Sequence, residues 1–87
     1  MSMVGGNLEQ LDGLQRSFVS ESSNVEALVA RINATLRGTT WLGPAADAFR
    51  SQWEGQFAPA LAGLKTGLDE QSRVVASRRA AIASATA

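Results

Sequence analysis

The sequence predicts an all-α protein: an antiparallel helix-turn-helix hairpin that pairs as a dimer into a four-helix bundle. Three observations predict this fold. Apolar residues recur at alternating steps of three and four in both halves of the chain. A segment containing Gly and Pro interrupts this pattern at residues 38–44, and the 87-residue chain has no Cys to staple a small core. Residues 1–87 are therefore predicted to form a single helical-hairpin domain.

The first helix is predicted over residues 7–37. Asn7 precedes the apolar pattern, and its side chain can accept a hydrogen bond from a free amide of the first turn. Gly38 follows Arg37, and we expect it to take the left-handed conformation that often ends a helix. Between these limits a heptad stripe runs through Leu8, Leu11, Gln15, Phe18, Ser22, Val25, Val29, Ile32 and Leu36.

The turn is predicted at residues 38–43 and the second helix at residues 44–82. Pro44 suits the first helical position, where no amide donor is needed. Asp47 places a negative charge near the positive end of this helix. Residues 83–87 have no apolar periodicity and are predicted to form a flexible tail. The second apolar stripe comprises Ala46, Phe49, Trp53, Phe57, Ala60, Leu64, Leu68, Gln71, Val75 and Ile82.

Pro59 lies in the middle of the second predicted helix. It removes a backbone donor, and its ring crowds the carbonyl of Gly55. Because Gly55 has no Cβ, we expect a kink at residues 55–59, with the apolar spacing in phase on both sides. Two shorter helices are the alternative.

The apolar surface of each helix is wider than one neighbour can cover, which predicts a partner. Two hairpins packed face to face would bury this surface in a four-helix bundle. The sequence leaves open whether the partner is a second copy or another chain, although balanced charges favour self-association. The predicted hairpin or dimer interface comprises Leu11, Leu14, Phe18, Val25, Leu28, Ile32, Phe49, Trp53, Phe57, Leu64 and Leu68.

Composition argues against several classes of function. Eight basic and eight acidic residues cancel, so no positive field favours binding to nucleic acid. No apolar run is long enough for stable membrane insertion. The chain has no His, Cys or Tyr, and its carboxylates are dispersed, which predicts neither an enzyme nor a metal or cofactor site. A binding protein remains.

Trp41 is the most unusual residue of the predicted turn. Its ring can close over the ends of both helices as a structural staple, while Gly43 permits a backbone conformation that other residues avoid. The stretch Thr40-Trp41-Leu42-Gly43-Pro44-Ala45-Ala46, followed by Phe49, Trp53 and Phe57, resembles the WXG-hundred (ESAT-six-like) family. Chain length and the heptad stripes on both sides of the turn strengthen the resemblance, which covers nearly the whole chain.

This resemblance implies a small non-enzymatic protein exported as a folded hairpin dimer by a type VII (ESX-type) secretion system. It implies a bacterial protein with a cytoplasmic pool before export and no cleaved signal peptide; residues 1–10 also lack the pattern of such a signal. The dimer is a homodimer or a heterodimer with a second WXG-family protein. The resemblance assigns recognition by the secretion ATPase to Trp41 and Gly43, which in the family lie near the partner's tail.

The chain departs from the mycobacterial pattern because it has no Tyr for a Tyr-x-x-x-Asp/Glu tail signal. Its partner then carries that signal, or its own tail is read through apolar residues such as Val75 and Ile82. The alternative function is a cytosolic structural or adaptor hairpin that binds a partner helix protein through the same stripes.

Overall fold

The computed structural model describes residues 5–86, which form an extended helical hairpin. Helix α1 spans Leu8–Gly38, helix α2 spans Pro44–Gln52, a π turn spans Trp53–Phe57 and helix α3 spans Ala58–Thr86. Because α2, the π turn and α3 follow one another without a non-helical residue, we call them together the second arm. No strand occurs in the described part of the chain. The prediction of an all-α hairpin is confirmed.

Both helical arms begin where local chemistry predicts. The Asn7 side chain accepts a hydrogen bond from the backbone amide of Gln10 at 3.0 Å, which caps α1. Pro44 occupies the start of α2, and the preceding Gly43 has a φ of 114°. The carbonyl of Gly43 accepts from the amide of Asp47 at 3.0 Å, so the first turn closes directly after the glycine.

Helix α1 ends within one residue of its predicted end, but the predicted mechanism of termination is wrong. Gly38 is the last residue of α1, but among the described residues only Gly43 has a positive φ. Thr39 ends the helix instead, with an extended backbone at φ −101° and ψ 122°. Its hydroxyl donates to the carbonyl of Thr35 at 2.6 Å, and its amide donates to Leu36 at 3.4 Å. These bonds satisfy terminal carbonyls without a left-handed residue.

Pro59 is accommodated by the π turn. The amide of Ala58 bonds to the carbonyl of Trp53, five residues earlier, where a regular α-helix would use the fourth. The wider turn lies immediately before Pro59, which has no amide to donate and whose ring would press on a regular preceding turn. The second arm is therefore unbroken, as predicted. It departs from a regular α-helix by one extra residue in the turn before Pro59.

The insertion changes which side of α3 faces α1. The expectation that apolar spacing stays in phase across Pro59 is wrong, because one step in the covered stripe is five residues long. Phe57 and Leu64, which were predicted to share the stripe, are 46% and 51% exposed. Ala60 and Gln71 are also exposed. The covered stripe comprises Ala46, Arg50, Trp53, Ala58, Leu61, Lys65, Leu68, Ser72, Val75, Arg79 and Ile82.

Helix α3 continues beyond its predicted end. It reaches Thr86, so residues 83–86 are helical and do not form the predicted flexible tail. The run of Ala residues after Arg79 explains the extension, because Ala has the highest intrinsic helix propensity. Ala87 lies outside the described residues.

The hairpin is long and thin. Its radius of gyration is 19.3 Å and its extents are 63 × 24 × 14 Å, whereas a compact chain of this length has a radius of gyration of about 12 Å. Ala46 and Trp53 are the only buried apolar residues of the described part. No helix in residues 5–86 has the length and apolar character needed to cross a membrane.

Candidate interaction surfaces

The turn forms an apolar tip of the hairpin, which we define by Trp41, Leu42 and Phe49. Leu42 is 86% exposed and Trp41 is 41% exposed. The rings of Trp41 and Phe49 are tilted by 45° with their centroids 6.0 Å apart, a favourable arrangement for an aromatic pair. Trp41 therefore packs on the first turns of α2 and still presents part of its ring to solvent, next to a nearly bare Leu42.

Arg50 ties the tip to α2. Its Nη1 donates to the backbone carbonyl of Trp41 at 2.8 Å, and its Nη2 donates to the carbonyl of Thr39 at 3.5 Å. One guanidinium group thus joins two carbonyls of the turn, as its planar set of donors permits. No motif in the sequence points to this role, because the two acceptors lie nine and eleven residues before Arg50.

Trp53 joins the two arms below the tip. It is 7% exposed, and its indole Nε1 donates to Oδ1 of Asn33 on α1 at 2.8 Å. The buried N–H therefore has the partner that such a group requires. Trp53 therefore lies between the two arms of the hairpin.

A row of polar contacts runs along one flank of the hairpin, and we call it the polar seam. Arg79 pairs with Asp12 at 2.9 Å, and Lys65 lies 3.8 Å from Glu26. These contacts show that α1 and α3 are antiparallel. Asp12 and Asp69 each have an Arg four residues later, Arg16 and Arg73, but they form their salt bridges with Arg79 and Lys65 instead. The polar seam comprises Asp12, Ser22, Glu26, Lys65, Asp69 and Arg79.

Asp69 is the centre of the polar seam. It accepts from Lys65 at 2.8 Å and from the hydroxyl of the buried Ser22. The hydrogen bond from Lys65, followed by that from Ser22, lowers the pKa of Asp69 below its ordinary value of 3.8, although partial burial opposes the shift. The same hydrogen bond with Asp69 raises the pKa of Lys65 above 10.5. Both groups are therefore charged throughout the neutral range.

Asp69→Asn is expected to lower the melting temperature at about pH 7. A carboxylate whose pKa is lowered by folding stabilises the fold above its unfolded pKa and loses that contribution as the pH falls through its folded pKa. The difference between variant and wild type should therefore shrink below about pH 3.8. Thermal melts over this range test it, with Glu70→Gln as the exposed neighbouring control; a difference independent of pH would contradict it.

An apolar face lies on the other flank, and we call it the open face. On α1, Leu14 follows Asp12 by two residues, and Leu28 follows Glu26 by two residues. Two residues correspond to a rotation of about 200° around the helix, so both Leu side chains lie on the side away from these seam residues. On α3, Leu64 lies about 140° from Asp69. The open face is unpartnered in the single chain, and its most exposed members are Leu14, Leu28, Phe57 and Leu64.

The predicted interface residues divide between these surfaces. The residues covered within the hairpin are half-buried, apart from the buried Trp53: Leu11, Phe18, Val25, Ile32 and Leu68. The exposed ones were not brought into the hairpin interface, and their role in pairing two hairpins remains a prediction: Leu14, Leu28, Phe49, Phe57 and Leu64.

No group of three or more acidic, His or Cys residues within residues 5–86 is placed to hold a metal ion. A groove of about 290 Å³ between α1 and α3 is lined mainly by aliphatic side chains. Three polar residues, Glu26, Asn33 and Lys65, complete its lining. Those polar groups already bond within the hairpin.

No protein-family model matches the chain, and no matching curated protein or solved structure was found.

Proposed function

We propose that this protein is a non-enzymatic binding protein whose hairpin pairs with a second hairpin through the open face. The observation that carries the proposal is the amount of surface left uncovered. The chain exposes 6395 Å², whereas a folded monomer of 9.1 kDa exposes about 4,900 Å². The surplus of about 1,500 Å² exceeds the roughly 800 Å² that each partner buries in a standard protein interface.

The chemistry of the open face supports pairing. Fully burying a Leu or Phe side chain gives roughly 1.5–3 kcal/mol. Leu14, Leu28, Phe57 and Leu64 are 38–51% exposed, so about half of that gain is left for each, and the contributions of both hairpins add up against the ordering cost of association. A second long hairpin matches this face in length, because the apolar rows run along both arms. Face-to-face packing of two such hairpins gives a four-helix bundle.

The partner we favour is a second copy of the chain. Residues at seven-residue spacing along the open face form one row on each arm: 14, 21 and 28 on α1, and 57, 64, 71 and 78 on the second arm. These rows contain two charged residues, Glu21 and Arg78, and their charges are opposite. A second copy therefore offers each of them a counter-ion. The whole chain has no net charge, so two copies do not repel one another. A heterodimer with a related hairpin is the other outcome of a pairing experiment.

We extend the proposal to export of the dimer by a type VII secretion system, with the tip as the recognition element. The support is the resemblance of the turn to the WXG-hundred family together with the exposure of Trp41 and Leu42. Two features hold this element in one conformation: the backbone of Gly43, with its φ of 114°, and the hydrogen bond from Arg50 to the carbonyl of Trp41. A rigid, partly exposed aromatic residue is the usual centre of a recognition surface.

Trp41→Ala is expected to reduce export by about tenfold or more, as for loss of an aromatic anchor, while the melting temperature of the dimer stays unchanged. Secretion from a bacterium with a type VII system and circular-dichroism melts of the purified dimer measure the two effects. Val19→Ala, an exposed change away from the tip, is the control. If Trp41→Ala lowers export and stability together, Trp41 is a staple of the hairpin and its role in recognition is refuted.

A further inference from the structure

The second arm can face α1 in two ways, and the π turn decides between them. In a regular helix Trp53 would be followed in the stripe by Phe57 and then Leu64. The inserted residue advances α3 by one position, about 100° of rotation. Ala58, Leu61 and Lys65 consequently lie against α1, and Phe57 and Leu64 are turned out.

The observed rotation gains polar contacts with α1 and gives up apolar cover. It brings Lys65, Asp69 and Arg79 to the polar seam, where they bond to α1. The other rotation would place Leu64 and Val74 against α1 and move these charges away. The hairpin thus leaves Phe57 and Leu64 on the open face, which gives the isolated chain no benefit.

We infer that the π turn before Pro59 turns Phe57 and Leu64 away from α1 and toward the partner hairpin. Pro59 is then a positioning residue for pairing. This inference rests on the proposed pairing with a second copy. Pro59 acts through the backbone, because it denies the preceding turn a regular hydrogen bond. Phe57 and Leu64 then contact the partner directly and serve as its apolar anchors.

Pro59→Ala in the full chain tests the inference. The substitution restores an amide donor and raises helix propensity, so the variant folds, and the arm is expected to take the regular rotation. The dissociation constant of the dimer, measured by sedimentation, should rise about tenfold or more. Deleting Gln56 from this variant removes the extra residue, returns Leu61 and Lys65 to α1, and should restore pairing.

Leu64→Ala, made in the wild type and in Pro59→Ala, distinguishes positioning from a general structural role of Pro59. If Pro59 only stabilised the fold, Leu64→Ala would have the same effects in both backgrounds. In the wild type it should weaken the dimer and leave the melting temperature of the dilute monomer unchanged. In Pro59→Ala it should lower that melting temperature and no longer affect the dimer. Val19→Ala, 47% exposed and half a turn from Leu28 around α1, is the control in both backgrounds.

Each outcome decides something. If Pro59→Ala leaves the dissociation constant unchanged, or if Leu64→Ala has the same effects in both backgrounds, the role of Pro59 is overturned while pairing stands. If Gln56 deletion fails to restore pairing to Pro59→Ala, rotation of the arm is overturned as the cause. A wild-type chain that stays monomeric at every concentration overturns the pairing itself.

Discussion

Trp53→Ala is expected to lower the free energy of unfolding by about 3–5 kcal/mol, the range for removing a large aromatic side chain from a core. The effect is large because the described part of the chain has only one other buried apolar residue, Ala46. Small domains have a total stability of about 5–15 kcal/mol, and this thin hairpin has little to spare. Urea unfolding followed by circular dichroism measures the loss.

Two other substitutions separate the causes of that loss. Trp53→Phe keeps most of the apolar area but leaves Oδ1 of Asn33 without its donor, which should cost about 1–3 kcal/mol. Trp41→Ala removes the other Trp, whose ring is only partly covered, and should leave the free energy of unfolding close to its wild-type value. If the two alanine variants are equally destabilised, Trp53 is not the main link between the arms.

Local chemistry made the helix starts predictable from the sequence. The cap at Asn7 and the start at Pro44 depend on residues within one turn of each other, so their consequences can be derived without knowing the fold. The end of α1 was less predictable, because both Gly38 and Thr39 can terminate a helix. The structure uses the Thr39 hydroxyl.

The rotation of α3 was not predictable from apolar spacing. Both rotations present apolar residues to α1: Phe57 and Leu64 in one, Leu61 and Leu68 in the other. The choice depends on Pro59, whose backbone effect can be a kink or an inserted residue. An apolar pattern alone does not distinguish these two responses.

The contacts of the polar seam that join the two arms escaped prediction because their partners are far apart in the sequence. Asp12 bonds to Arg79 and Ser22 bonds to Asp69 across the hairpin, whereas sequence reasoning favours partners four residues away. Only once the rotation of α3 is known does the register bring these groups together. The interface between hairpins could be named only as a set of surplus apolar residues, and the structure divides that set into covered and exposed members.

Leu28→Asp is expected to weaken the dimer by about a hundredfold or more. Leu28 lies on the open face of α1, where a second hairpin would exclude water. An unpaired carboxylate buried there costs on the order of 3 kcal/mol, which corresponds to a factor of about one hundred in the dissociation constant. The isolated hairpin should be little affected, because the side chain stays in water when no partner is present.

Val19→Asp is the matched control for this experiment. Val19 is exposed on the same helix but lies about 180° from Leu28, outside the proposed interface. Sedimentation over a range of concentrations should show tight pairing for Val19→Asp and loss of pairing for Leu28→Asp, with similar helical content in both. If Val19→Asp disrupts the dimer and Leu28→Asp does not, the hairpins pair through the flank of the polar seam. The surplus apolar surface of the open face would then need a different partner.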